Sequence, residues 1–197
     1  MAAAMTTAIL AGGAGTRLDG RDKGLELLAG RPLVDRVMAA ARAMDPAAPV
    51  LICANRHREA YALRGPVIAD TLAGFRGPLA GVMAALAACT TPWLLTLPAD
   101  CPCPPADLAA RCSAALRTDG TLAAAVAHDG ARRQPLFALY RVALARGAAE
   151  AVAAGQGVAQ WQDSLRLREI DFSAERRQFR NLNTPADFAR YGDDRAS

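Results

Sequence analysis

The sequence predicts an α/β fold, a single three-layer, Rossmann-like arrangement in which a mainly parallel sheet is covered by helices on both faces. Three observations predict it. Short strand-like runs alternate with longer segments of helical period along most of the chain. Apolar residues make up 52% of the 197 positions, enough for a substantial core, and with only 5% aromatic the filling must come from alanine and leucine. No repeat, low-complexity tract or linker composition interrupts the chain, and its length suits one domain better than two.

The elements follow in order. Residues 7–10 read as a buried first strand, and 11–24 as the loop that leaves it. In 32–44, Leu33, Val34, Val37, Met38 and Ala41 recur at helical period, with Pro32 near the start, where a missing N–H costs little. Residues 50–53 and 66–69 read as the second and third strands. An alanine-rich helix over 78–89 carries Pro78 in its first turn. A fourth strand over 93–97 precedes a helix over 105–116, two further strands over 122–127 and 135–140, and a helix over 142–154. Past Gly155 and Gly157 the pattern weakens until a closing helix over 185–191. Ligands of parallel sheets sit beyond the carboxyl ends of the strands, so the loops after Leu10, Cys53, Ala69 and Leu97 should share one rim.

Charge and cysteine usage exclude several classes. The formal charge is +4, from 23 basic and 19 acidic residues, and the excess is scattered. Its densest cluster, Arg176, Arg177 and Arg180, is interrupted by Gln178 and Phe179 and reads as solvated surface, so no nucleic-acid partner is expected. A small positive balance does suit phosphorylated ligands. Five cysteines, an odd number, argue against a disulfide framework. The first five residues lack the pattern of a secretion signal, and no apolar run approaches the roughly 20 residues of a membrane span. A cytoplasmic protein without a membrane partner is expected.

The loop after the first strand carries the strongest chemical signal. It reads Leu10-Ala11-Gly12-Gly13-Ala14-Gly15-Thr16-Arg17-Leu18-Asp19-Gly20-Arg21-Asp22-Lys23-Gly24. Glycines at 12, 13 and 15 allow backbone amides to turn inward as an anion-binding nest. Arg17 and Lys23 add fixed positive charge, which a triphosphate needs as charge develops. A P-loop would require Ser or Thr after Lys23, where Gly24 stands. A dinucleotide fingerprint fails at its third glycine, where Leu18 stands.

With these residues in hand, the chain resembles the molybdenum cofactor guanylyltransferases, the MobA family. The resemblance is carried by Leu10-Ala-Gly-Gly, Arg17-Leu18, Asp22-Lys23-Gly24, Gly30-Arg-Pro-Leu33, Ala54-Asn-Arg-His57, Gly77-Pro-Leu-Ala-Gly81 and Asn181-Leu-Asn-Thr-Pro185, in family order and spacing. It implies one nucleotidyltransferase domain over 1–197, with a GTP-binding N-terminal part and a molybdopterin side over about 128–185. The implied reaction transfers GMP from GTP to the terminal phosphate of molybdopterin or its molybdenum-loaded form, with Mg2+ and release of pyrophosphate. Molybdoenzyme maturation factors are admitted as further partners. Two rivals stand beside this expectation. One is a cytidylyltransferase using CTP, although Gly12 leaves more room against a purine. The other is a non-catalytic molybdopterin carrier.

Site residues follow from the same resemblance. Leu10, Ala11, Gly12, Gly13, Lys23, Cys53, Asp70 and Asp100 are implied at the nucleotide, with Lys23, Arg17 and Asp100 catalytic. Asp100 is the implied Mg2+ ligand, since magnesium often takes only one or two protein carboxylates. Arg17, Gly20, Asn181 and Asn183 are implied on the molybdopterin side, where an asparagine amide can both donate to and accept from a pterin. Local chemistry leaves simpler roles open. Asp100 and Asp70 can each be a turn residue, and Thr184 with Pro185 can open the closing helix. His57 is assigned no proton-transfer role. Cys101 and Cys103 lack a second ligand pair at zinc spacing, so no zinc site is expected.

Overall fold

The computed structural model of the chain describes residues 4–11, 22–69 and 77–193. In chain order the strands are β1 (Met5–Leu10), β2 (Leu27–Leu28), β3 (Arg31–Pro32), β4 (Val50–Cys53), β5 (Val67–Ile68), β6 (Trp93–Pro98), β7 (Ala124–His128), β8 (Arg133–Arg141) and β9 (Leu167–Asp171). The helices are α1 (Leu33–Met44), α2 (Arg58–Ala62), α3 (Pro78–Ala88), α4 (Leu108–Thr118), α5 (Ala145–Ala153), α6 (Val158–Asp163) and α7 (Pro185–Asp193). Three 3-10 turns lie at Lys23–Leu25, Val142–Leu144 and Ser173–Phe179.

Seven strands form one sheet in the order β5-β4-β1-β6-β8-β7-β9, and β2 pairs with β3 in a small hairpin. The pairs β5–β4, β4–β1, β1–β6 and β7–β9 are parallel, whereas β8 runs against both β6 and β7. The mainly parallel sheet read from the sequence is therefore present, with β8 as its reversed member. A central strand must be apolar on both faces, and β1 is buried along almost its whole length. Its alternate residues feed two separate cores. Met5 and Ile9 face α1 and α4 with Leu95, Leu97, Phe137 and Leu139, whereas Ala8 faces α3, α5 and α6 with Leu94, Ala138, Tyr140 and Trp161. Helices on both faces make three layers.

Each helix buries the side its sequence marks. In α1 the buried positions Leu33, Val34, Val37, Met38 and Ala41 form one stripe. In α3 burial extends around most of the helix, and its small side chains bring it close to the sheet, with Gly81 against Leu10 and Cys53. A third cluster sets the site: Leu28 of the hairpin, Leu33 of α1 and Leu182 pack together, with Phe188 and Tyr191 of α7 against them. The chain's closing segment is thus clamped beside the hairpin and the Lys23–Leu25 turn.

Several boundaries differ from the sequence reading. The helix over 105–116 begins at Leu108, after a turn in which the Leu108 N–H donates to the Pro105 carbonyl at 3.1 Å, and Pro104 and Pro105 each disfavour helix at the residue before them. The helix over 142–154 opens with a 3-10 turn before α5. The stretch after Gly157, which has no clear period, forms α6, β9 and a 3-10 turn. No helix among the described residues is long and apolar enough to cross a membrane.

Candidate active site

Strand register brings three loop starts together. Leu10 lies between Cys53 of β4 and Pro98 of β6. The Ala11 N–H donates to the Cys53 carbonyl at 2.9 Å, and the Ala99 N–H donates to the Leu10 carbonyl at 3.0 Å. The chain leaves β1 toward β4 on one side and reaches β6 on the other, so a crevice opens at this end of the sheet. Asp100 stands two residues past β6, on that rim.

Three side chains converge there from distant parts of the sequence. Lys23 Nζ lies 3.7 Å from Asp100 Oδ2 and donates a hydrogen bond to Asn183 Oδ1. The Leu182 N–H donates to the Asp100 carbonyl at 2.9 Å, which ties the closing segment to the loop after β6. The side chains of Lys23 and Asp100 are 26% and 19% exposed, so both are largely shielded from open solvent. Burial pushes the Asp100 carboxyl above the usual carboxylate range, and the Lys23 ammonium pulls the other way. A carboxylate in that state gains from an added cation. Among the described residues no three His, Cys, Asp or Glu side chains gather to enclose a metal. One rim carboxylate does fit a magnesium ion whose remaining ligands are phosphate and water oxygens.

Lys23 is presented by a short, braced turn. Asp22 caps the Lys23–Leu25 turn, its Oδ1 accepting from the Gly24 N–H at 3.2 Å and from the Tyr61 hydroxyl at 2.6 Å. Sequence reasoning assigned no role to Tyr61. Its helix, α2, has five residues, too few to show a period. Lys23 itself stands out in the sequence as the chain's only lysine, although basic residues number 23.

Of the other expected site residues, Leu10 and Ala11 are half-buried at the rim. Cys53 is 4% exposed, its side chain packed beneath α3, and it offers the rim a backbone carbonyl that Ala11 already occupies. Asn183 meets Lys23, while Asn181 is exposed two residues earlier. Gly12, Gly13, Arg17, Gly20 and Asp70 lie outside the described residues. His57, in a left-handed conformation (φ 48°), precedes α2. The turn 128–133 ends β7 at the same end of the sheet as Asp100, since β8 opposes both β6 and β7.

Comparison with known proteins bears on the fold and the family. The fold matches the solved molybdopterin-guanine dinucleotide biosynthesis protein A of Archaeoglobus fulgidus, with a TM-score of 0.78 over 98% of this chain and 99% of that one, at 22% identity. Residues 7–169 match the MobA-like NTP transferase domain, so the chain is a nucleotidyltransferase. Molybdenum cofactor guanylyltransferase of Mannheimia succiniciproducens is 38% identical over 189 residues, covering 95% of this chain and 98% of its own. The protein of the same name in Burkholderia ambifaria is 42% identical over 191 residues, covering 91% of each chain. The chain belongs to the molybdenum cofactor guanylyltransferase family.

Proposed function

We propose that the protein transfers GMP from GTP to the terminal phosphate of molybdopterin, or of its molybdenum-loaded form, giving the guanine dinucleotide cofactor and pyrophosphate. The observation that carries this reading is the placement of Lys23 against both Asp100 and Asn183, in a chain whose relatives bear the guanylyltransferase name. Those names favour guanine over the cytidylyl alternative. A nucleotidyltransferase assignment leaves the non-catalytic carrier without support.

No protein nucleophile is needed. A terminal phosphate oxygen of molybdopterin attacks the α-phosphorus of GTP, forming one P–O bond while the bond from the α-phosphorus to the bridging oxygen breaks. Pyrophosphate takes that electron pair. The barrier is charge: two polyanions must approach, and negative charge builds on the leaving group. We assign Lys23 to the phosphates, with Arg17 and the amides of Gly12 and Gly13 alongside. Leu10, Ala11, Cys53 and Asp70 complete the nucleotide side, and Arg17, Gly20, Asn181 and Asn183 the molybdopterin side. Enzymes of this kind use a divalent metal, for which we propose Mg2+ on Asp100; when bound it supplies charge neutralisation across phosphate oxygens. Asn183 orients Lys23 and, from the same position, lies where the acceptor must enter.

On this reading the N-terminal part binds GTP, 128–185 faces molybdopterin, and 1–197 acts as one domain. Five cysteines outside any disulfide suit a cytoplasmic setting, where molybdoenzyme maturation factors would meet the product. The test is pyrophosphate release from GTP, CTP and ATP with molybdopterin and Mg2+. Release with GTP well above the other two supports the reading, and equal release with CTP removes the guanine assignment.

A further inference from the structure

Both flanks of Lys23 are tied to one phenol. Asp22 Oδ1 accepts the Tyr61 hydroxyl at 2.6 Å while capping the Gly24 N–H. Gly24 packs so close to Tyr61 that a Cβ there would overlap the hydroxyl and come within 3.3 Å of the Ala99 Cβ, next to Asp100. Tyr61 therefore touches the turn carrying the lysine, through a position that also borders the loop carrying its carboxylate partner.

The phenol itself is anchored. Tyr61 is fully buried, and Arg64, one turn on, donates from Nε to Asp35 Oδ1 of α1 at 2.5 Å and from Nη1 to the Ala60 carbonyl at 2.6 Å. A three-residue 3-10 turn is marginal alone, and a lysine stem has four rotatable bonds. Without a brace, the ammonium would sample many positions around the rim. Burial and the Asp22 carboxylate push the Tyr61 ionisation far above its usual range, so the donor proton stays in place at any working pH.

We propose that Tyr61 is a positioning residue for Lys23, acting through Asp22 to hold the 22–24 turn in the geometry that phosphoryl chemistry needs. The inference rests on the proposed role of Lys23 and deepens it by naming what fixes the lysine. Gly24 belongs to the same device, since only a residue without Cβ admits the phenol at that distance.

The sole lysine makes the test direct. In the full chain with 15N-labelled lysine, one ε-ammonium signal reports Lys23. Tyr61→Phe keeps the buried ring and removes the hydroxyl. Its lysine signal should move toward that of an exposed lysine, and kcat should fall about tenfold while KM for GTP changes less than about threefold. Asp22→Asn, which keeps an acceptor oxygen, should retain more of the rate than Asp22→Ala. An unmoved lysine signal in Tyr61→Phe overturns the proposal, whether or not kcat falls, because the phenol would then act elsewhere. Should Tyr61→Phe fail to fold, Gly24→Ala replaces it; a folded Gly24→Ala protein with the wild-type lysine signal overturns the proposal equally. Failure of wild type to release pyrophosphate from GTP would instead count against the functional reading, with the lysine signal still deciding the positioning.

Discussion

At the scale of the residue, the pairing of Lys23 with Asp100 sets a conflict between stability and activity. Lys23→Ala should lower kcat by about 10²–10³-fold, the usual effect of deleting a group that stabilises developing charge, and steady-state pyrophosphate release measures it. Lys23→Arg should recover only part of the loss, because a planar guanidinium cannot occupy the place of a compact ammonium between Asp100 and Asn183. Asp100 offers a second prediction, with its sign fixed by burial. Its carboxyl is raised above 3.8, so folding favours the neutral form, and keeping it charged at neutral pH costs stability. Asp100→Asn should therefore be inactive yet melt no lower than wild type at pH 7 without divalent metal. The cost is absent below the unfolded value near 4 and fully present above the folded one, so the gap between the melting curves should shrink as pH falls toward about 4. A variant that melts well below wild type at pH 7 would contradict this account.

At the scale of the element, the turn between β7 and β8 shows how one buried acid can organise a hairpin. Asp129 is 6% exposed, and it accepts from the Ala131 and Arg132 N–H groups, both at 2.8 Å, and from Gln134 Nε2 at 2.6 Å. Burial works against its charge, yet donation from Arg132, Ala131 and Gln134 outweighs it and leaves the carboxyl below its ordinary range. Asp129→Ala should destabilise the fold by about 1–3 kcal/mol, since partly buried donors lose their acceptor. That stabilisation is complete above an unfolded aspartate pKa of about 3.9 and is lost as pH falls through the lower folded value. Urea unfolding of both proteins at pH 7 and below pH 4 should show the gap closing in acid. The same elements show what a sequence can disclose. A helix buried around most of its circumference, such as α3, announces itself by unbroken apolar character, and β1 by a short run free of charged residues. By contrast, β9 exposes Arg168, Glu169 and Asp171, and α2 is a single turn and a half, so neither carries a readable period. Tyr61 went unassigned for that reason: its importance lies in a hydrogen bond across 39 positions of sequence.

At the scale of the whole molecule, the site exists because the end of the chain returns to its beginning. Asp100 was readable as a rim residue because β6 is a mostly apolar strand, broken only by Thr96, with an acid just past its end. The meeting of Lys23 with Asn183 could be placed only by a motif, since 160 residues separate them and no local period links them. What creates the meeting is packing. Leu182 is fully buried against Leu28 and Leu33, and its N–H is held by the Asp100 carbonyl. One leucine thus docks the closing segment on the hairpin and on the loop after β6 together. Leu182→Ala removes the apolar anchor and leaves a cavity, which should cost about 2–5 kcal/mol in unfolding free energy. The loss should also be selective in function. Lys23 loses its Asn183 partner but keeps its Asp22 turn and its Asp100 partner, so KM for GTP should change less than KM for molybdopterin. Asn183 loses its fixed place, so KM for molybdopterin should rise. Steady-state assays varying each substrate in turn, below the melting temperature of the variant, separate the two effects. Equal increases in both KM values would mean that the closing segment supports the whole rim rather than the acceptor side.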